Sequence, residues 1–288
     1  MAIDYDKLMR ISIPDRVQDY TWKDTALYAL GLGLGLDPMR RADLPFVYEK
    51  DLQALPTMAV VMAHPGFWVR DLETGIDWVK VVHGEQGLTL HQPLPVQGRV
   101  IGQSRVTEVI DKGAGRGALI YVERKIIDSA RDALLATVRQ VIFARGDGGF
   151  GGPPRDQPAP HPLPDRTPDL VHDMPTSTQA ALIYRLSGDF NPLHADPAVA
   201  KGAGFDRPIL HGLATYGISG RSIIAALADN DASRLTDLDA RFTAPVFPGE
   251  TFRTEIWRDG PVVSFRTRCL ERDVIAINNG KAILGDAR

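Results

Sequence analysis

The 288-residue chain has a single cysteine, Cys269. No internal disulfide can form, so the fold must rest on burial and hydrogen bonding, as suits a reducing compartment. Charge of one sign is also scarce: 33 basic and 36 acidic side chains leave a formal net charge of −3, far from the basic field of a nucleic-acid-binding surface. No window of about 18 residues is uninterruptedly apolar, which argues against a spanning helix. The N-terminal segment up to Ile11 is polar and charged, and the chain ends Gly285-Asp286-Ala287-Arg288 rather than Ser-Lys-Leu; both features predict a cytoplasmic protein. The seven histidines show no His-x-x-x-His spacing, so no metal is expected. There is no Gly-x-Ser-x-Gly elbow and no dinucleotide fingerprint in a strand–helix setting, which argues against that hydrolase chemistry and against redox chemistry.

Glycine and proline, by contrast, are concentrated in one place. Gly148-Gly149-Phe150-Gly151-Gly152-Pro153-Pro154 is followed by Pro158, Pro160, Pro162, Pro164 and Pro168. Such a run fits neither a helix interior nor a central strand, and predicts a linker over 148–169 between an N-terminal unit, 1–147, and a C-terminal unit, 170–288. The two units share a layout. Each opens on a tyrosine-bearing helical segment, 21–30 and 177–186; shifted by 156, Leu27, Tyr28 and Leu30 fall on Ile183, Tyr184 and Leu186. Each ends in long alternating strands, predicted at 99–111, 118–128 and 134–144, and at 251–257, 262–270 and 274–284. The glycine-rich turn Lys112-Gly113-Ala114-Gly115-Arg116-Gly117 and the pair Asp259-Gly260 are hairpin signals. The pattern predicts a tandem α+β fold, each unit an antiparallel sheet with a helix against it.

The two halves differ where chemistry would lie. The second reads Ser187-Gly188-Asp189-Phe190-Asn191-Pro192-Leu193-His194; at the same offsets Asp189 faces Gly33 and His194 faces Pro38. Gly188 suits a sharp turn and Pro192 restricts Asn191, so the Asp189 and His194 side chains can converge across the bend. A carboxylate and an imidazole are the two commonest acid–base groups near neutral pH, and Asn191 can hold a water or orient either one. The competing interpretation of the octapeptide is purely structural: Asp is a frequent N-cap and Asn-Pro a frequent turn. Further on, Pro208-Ile209-Leu210-His211-Gly212 precedes an apolar helix predicted over 212–228. Gly212 thus opens a helix, where free N–H groups and the helix dipole favour a developing oxyanion. His211 is read as a capping or satisfied core residue. Cys269, in an alternating strand, is read as core.

The segment Tyr184-Arg185-Leu186-Ser187-Gly188-Asp189-Phe190-Asn191-Pro192-Leu193-His194 resembles the hydratase 2 signature. Phe46-Val47-Tyr48-Glu49, His83-Gly84-Glu85-Gln86, Gly148-Gly149-Phe150-Gly151-Gly152, Pro208-Ile209-Leu210-His211-Gly212 and Arg241-Phe242 with Pro245-Val246 and Pro248-Gly249 extend the likeness over nearly the whole chain. The chain resembles the MaoC-like (R)-specific enoyl-CoA hydratases, in the two-unit form found in peroxisomal multifunctional enzyme type 2. That resemblance implies a double hot-dog, each unit a long helix wrapped by a curved antiparallel sheet. It also implies a catalytic C-terminal unit, and an N-terminal unit whose degenerate helix makes room for the acyl chain. The glycines at 31, 33 and 35 fit a weak helix there. By the same resemblance Asp189 and His194 activate one water, Asn191 orients the site, and the Gly212 N–H holds the thioester oxygen. Substrate contacts map onto His83, Gly84, Lys112, Phe190, Pro192, Leu193 and Phe242. The reaction implied is reversible syn addition of water to a trans-2-enoyl-CoA. No cofactor is implied beyond the coenzyme A of the substrate, and the expected assembly is a homodimer. A hot-dog thioesterase and a non-catalytic acyl-CoA-binding subunit are the alternatives, since one fold carries several functions.

Overall fold

The structure is a computed structural model and describes residues 2–286; Ala287 and Arg288, part of the C-terminal address considered above, lie outside the described residues. The first half supplies strands β1 (Arg16–Tyr20), β2 (Val81–Leu90), β3 (Gly98–Asp111), β4 (Ala118–Asp128) and β5 (Ala133–Ala144). The second supplies β6 (Leu170–Pro175), β7 (Leu235–Phe242), β8 (Thr251–Asp259), β9 (Val262–Cys269) and β10 (Val274–Leu284). Period-2 alternation places Val263, Phe265, Thr267 and Cys269 of β9 inside, with Arg266 and Arg268 outward. Among the described residues, all ten strands join one antiparallel sheet in the order β1-β3-β4-β5-β2-β7-β10-β9-β8-β6. The halves meet where β2 pairs with β7, from Glu85↔Arg241 to Thr89↔Asp237. Both seam strands were absent from the sequence expectation. The start of the proline-rich segment is tied to the β3–β4 turn, because Asp111 accepts hydrogen bonds from Gly113, Gly149 and Gly151.

The helix Gly212–Leu227 lies inside this sheet, with Ala214, Tyr216, Ile218, Ile223 and Ile224 fully buried. Each buried isoleucine removes enough apolar surface from water to contribute about 2 kcal/mol. Two glycines let the first half reach the helix. A Cβ at Gly217 would stand 2.8 Å from Leu32 and 2.9 Å from the Tyr28 hydroxyl, and one at Gly220 would stand 2.8 Å from Thr57. Buried Arg221 of the same helix pairs with buried Asp43 at 3.2 Å. Among the described residues no helix is long and apolar enough to cross a membrane.

The equivalent span of the first half, 56–71 after the shift of 156, holds no long helix: a 3-10 stretch Pro56–Val60 and a short helix Trp68–Asp71 stand in its place. Pro56, Pro65 and Gly66 account for the interruption. This corrects the expectation drawn from glycines 31, 33 and 35. The helix Trp22–Gly31 is regular and starts at a Thr21/Asp24 capping box, while Gly33 and Gly35 only shape the turns after it, at φ +91° and +80°. The second tyrosine-bearing segment is shorter than expected, an α-helix Ala180–Tyr184 running into a 3-10 turn Arg185–Ser187.

Candidate active site

Gly188 ends the Arg185–Ser187 turn with φ +119°, a conformation glycine adopts without strain. The chain then bends at Asn191-Pro192, and the bend is held locally. Asp189 Oδ1 accepts from the Asn191 N–H at 3.1 Å, and Asn191 Oδ1 accepts from the Leu193 N–H at 3.0 Å. The Asn191 oxygen is therefore committed to capping the turn Pro192–His194, a role the sequence did not assign to it. The turn buries His194. Its Nδ1 lies 2.9 Å from the Ile209 carbonyl; a carbonyl only accepts, so Nδ1 carries the proton and Nε2 keeps its lone pair. Nε2 faces Asp189 Oδ2 at 4.0 Å, a gap suited to one bridging water. Burial lowers the His194 pKa, opposed by the Ile209 hydrogen bond and the Asp189 charge. The imidazole is thus a neutral acceptor at neutral pH.

His211 is more involved than its sequence reading allowed. It forms no side-chain cap of the helix it precedes, and its buried Nδ1 has no partner. Its ring stacks on His194, and its Nε2 lies 3.3 Å from the Asp189 carbonyl oxygen. The next residue, exposed Gly212, opens the helix with N–H groups that have no intrahelical acceptor. A Cβ there would meet the Phe242 ring at 3.3 Å. The Phe242 ring in turn sits edge-on to His83, centroids 4.8 Å apart. Asp189, His194, Gly212, Phe242 and His83 thus converge from both halves of the chain. Burial lowers the His83 pKa to about 4. Gly84 lies where a Cβ would stand 3.3 Å from the Val141 carbonyl, beside the irregular pairing of β2 with β5.

The remaining candidates lie further out. Phe190 is exposed, with the Arg185 guanidinium 5.3 Å from its ring centroid; Pro192 is exposed and Leu193 half-buried. Lys112 stands at the glycine turn, its Nζ 5.3 Å from the Phe143 ring, and Phe143 is level with Val82, the neighbour of His83. Sequence reasoning missed His64. Its side chain is exposed by area, yet desolvation lowers its pKa to about 3, with Arg124, Asp189 and His83 also acting on the ring.

The ligand-bearing atoms of Asp189, His194 and His211 lie within 4.8 Å of one another, although their spacing carries no metal signature. The His194 and His211 rings of this group are stacked, their planes inclined by 26°. Two clefts, of about 360 and 320 Å³, lie elsewhere and contain no residue of the motif.

The arrangement matches known proteins along its length. Residues 18–146 match the MFE-2 hydratase 2 N-terminal domain and residues 160–280 the MaoC like domain. A Mycobacterium tuberculosis protein named 3-hydroxyacyl-thioester dehydratase Y is 43% identical over 91% of this chain and 89% of its own length. A Dictyostelium discoideum protein named probable enoyl-CoA hydratase 2 is 38% identical over 99% of this chain and 97% of its own. A MaoC-like dehydratase of Phytophthora capsici superposes with a TM-score of 0.87 at 29% identity, covering 99% of this chain and 98% of that one. The single sheet with its enclosed helix is accordingly a double hot-dog fold, and the chain belongs to the MaoC-like hydratase 2 family.

Proposed function

We propose that the protein catalyses reversible addition of water to the double bond of a trans-2-enoyl-CoA, giving the (3R)-hydroxyacyl thioester. The observation that carries this reading is the pair of acceptors, His194 Nε2 and Asp189 Oδ2, 4.0 Å apart and beside the Gly212 helix terminus. A water held between them donates one hydrogen bond to each. As its oxygen attacks C3, His194 Nε2 takes a proton, and negative charge moves to the thioester oxygen against the Gly212 N–H. The imidazolium, steadied by the Asp189 carboxylate, returns a proton to C2. Hydroxyl and hydrogen then arrive on one face, and the resting protonation is restored. Asn191 shapes the turn, His83 and Phe242 wall the thioester, and Phe190, Pro192 and Leu193 border its approach. Lys112 offers a cation to a coenzyme A phosphate.

We further propose that no metal or separate cofactor takes part, and that the chain works as a cytoplasmic homodimer. The terminal strands of the sheet support self-association, because Val17 on β1 and Leu170 and Val171 on β6 are exposed. Sedimentation of the purified protein decides this point. The reaction is tested by mixing the protein with crotonyl-CoA and a medium-chain 2-enoyl-CoA and following the enoyl-thioester absorbance. Loss of absorbance without thiol release, reduced about 100- to 10,000-fold in Asp189→Asn and His194→Gln, supports the hydratase. Thiol release points instead to thioester hydrolysis, and binding without turnover to a carrier subunit.

A further inference from the structure

Arg124 stands between Val122 and Ile126 on the inner face of β4, where the apolar core divides into two clusters. It is 5% exposed and forms no ion pair among the described residues. Its Nη2 donates to the Val60 carbonyl at 2.6 Å, and its Nε has no partner. Ser104, level with it on β3, also has a buried hydroxyl without a partner. Burial lowers the Arg124 pKa to about 10, which leaves it charged at neutral pH. A buried guanidinium without a counter-anion is an unfavourable arrangement. Hydrophobic packing does not call for it, and an acceptor brought in by a ligand relieves it.

Position along the sheet says where such a ligand group would come from. His83 is level with Ile142, and Ile142 with Ile120 of β4. From Ile120 one direction leads to Ala118 and the glycine turn with Lys112. The other leads, four residues on, to Arg124, about 14 Å away at the rise of an antiparallel strand. With the thioester at His83, Phe242 and Gly212, and coenzyme A toward Lys112, the acyl chain heads for Arg124. Above Arg124 the long helix of a complete unit is replaced by the separated short helices Pro56–Val60 and Trp68–Asp71, and His64 lies in the connection between them. His64 is exposed, and the charges of Arg124 and Asp189 both act on its ring.

We infer that the acyl chain runs beneath this connection, that its pocket ends on Arg124 and Ser104, and that the preferred substrate carries a carboxylate at the far end of a medium-length acyl chain. The inference rests on the enoyl-thioester reading and specifies its substrate class. The planar guanidinium fork matches a carboxylate, whereas a methyl terminus would leave the buried charge uncompensated.

The test is isothermal titration of wild-type protein with two saturated medium-chain acyl-CoAs of equal length, one ending in a carboxylate and one in a methyl group, with an ω-hydroxyl analogue as a third arm. The expected result is tenfold or tighter binding of the carboxylate form, a preference lost in Arg124→Met and weakened in Ser104→Ala. Equal or better binding of the methyl form by wild type overturns the inference. So does a carboxylate preference that survives in Arg124→Met, or an ω-hydroxyl form that binds as well as the carboxylate. If Arg124→Met fails to fold, the wild-type ratio and Ser104→Ala still decide. Wild-type crotonyl-CoA, too short to reach Arg124, separates the two levels. Hydration of crotonyl-CoA without a carboxylate preference in binding removes this pocket and keeps the reaction. A binding preference with no hydration of any enoyl thioester removes the reaction and keeps the pocket.

Discussion

The His211 imidazole lies against that of His194, with ring centroids 3.6 Å apart and planes inclined by 26°. The same His211 reaches the Asp189 carbonyl through Nε2 and directly precedes Gly212. One side chain therefore touches the proposed base and the backbone of its partner Asp189, and its own main chain leads into the helix proposed to hold the oxyanion. Burial, and then the neighbouring His194, lower the His211 pKa to about 4, so it stays neutral while His194 takes a proton. We expect His211→Asn to lower kcat about 10- to 100-fold, less than loss of an acid–base group, with little change in KM. Removing the ring also exposes His194 to water, which moves the acid limb of the pH–rate profile upward. His211→Phe keeps the cover and should leave that limb in place. Profiles and rates of both variants identical to wild type would show His211 to be filler.

The pH dependence of stability follows from the same neutral rings. His211, His83 and His64 have pKa values of about 4, 4 and 3, each lowered first by burial, against an unfolded value of about 6.5. Below about 6.5 the unfolded chain binds protons that the folded one refuses. Stability is therefore complete above that pH and falls as the pH drops toward about 4. Fully buried His211 alone contributes on the order of 3 kcal/mol to this loss. Urea unfolding midpoints measured across this range should fall, and less steeply in His211→Phe.

Gly217 tests the packing between the halves. A methyl group there meets Leu32 at 2.8 Å and the Tyr28 hydroxyl at 2.9 Å, and neither side chain has free space to retreat into, since both are buried. Gly217→Ala should destabilise the protein by about 1–3 kcal/mol through overpacking, despite the better helix propensity of alanine. A raised melting temperature would contradict this.

The Arg221–Asp43 pair, with side chains 1% and 5% exposed, predicts an asymmetric outcome. Asp43→Ala leaves a buried guanidinium unpaired and should cost about 3–5 kcal/mol. Replacing both partners with apolar residues, Asp43→Leu with Arg221→Met, should cost much less. Denaturant titration of the single and double variants decides; equal losses in both would mean that shape, not charge, is what the site requires.

How much of this was legible depended on how local each signal is. Strands β3–β5 and β8–β10 alternate visibly, and glycine turns separate two of their pairs. The Asp189–His194 pair is legible because both residues lie within one octapeptide. The seam strands were not legible. The middle of β2 reads Gly84-Glu85-Gln86-Gly87, which looks like a turn, and β7 carries Asp237, Asp239 and Arg241. Their charges are accommodated by residues far away in the chain: Glu85 with Arg241, Arg139 with Asp239, and Thr89 with Asp237. His64 and Arg124 escaped notice, and His211 was read only as a cap or core residue, for the same reason. What distinguishes each is a neighbour contributed by a distant segment.

The pairing of β2 with β7 makes the two halves mutually dependent. Asp189 and His194 belong to the second half, but that half lends its strand edge to the first, and its central helix is covered by Tyr28, Leu32 and Thr57. Expressed from residue 170 onward, the second half would bare β7 along its length and lose the His83 wall of the candidate site. It would be a protein seeking another edge to sit on, so the working unit is the pair, and the inert-looking half is what keeps the other's central strand covered.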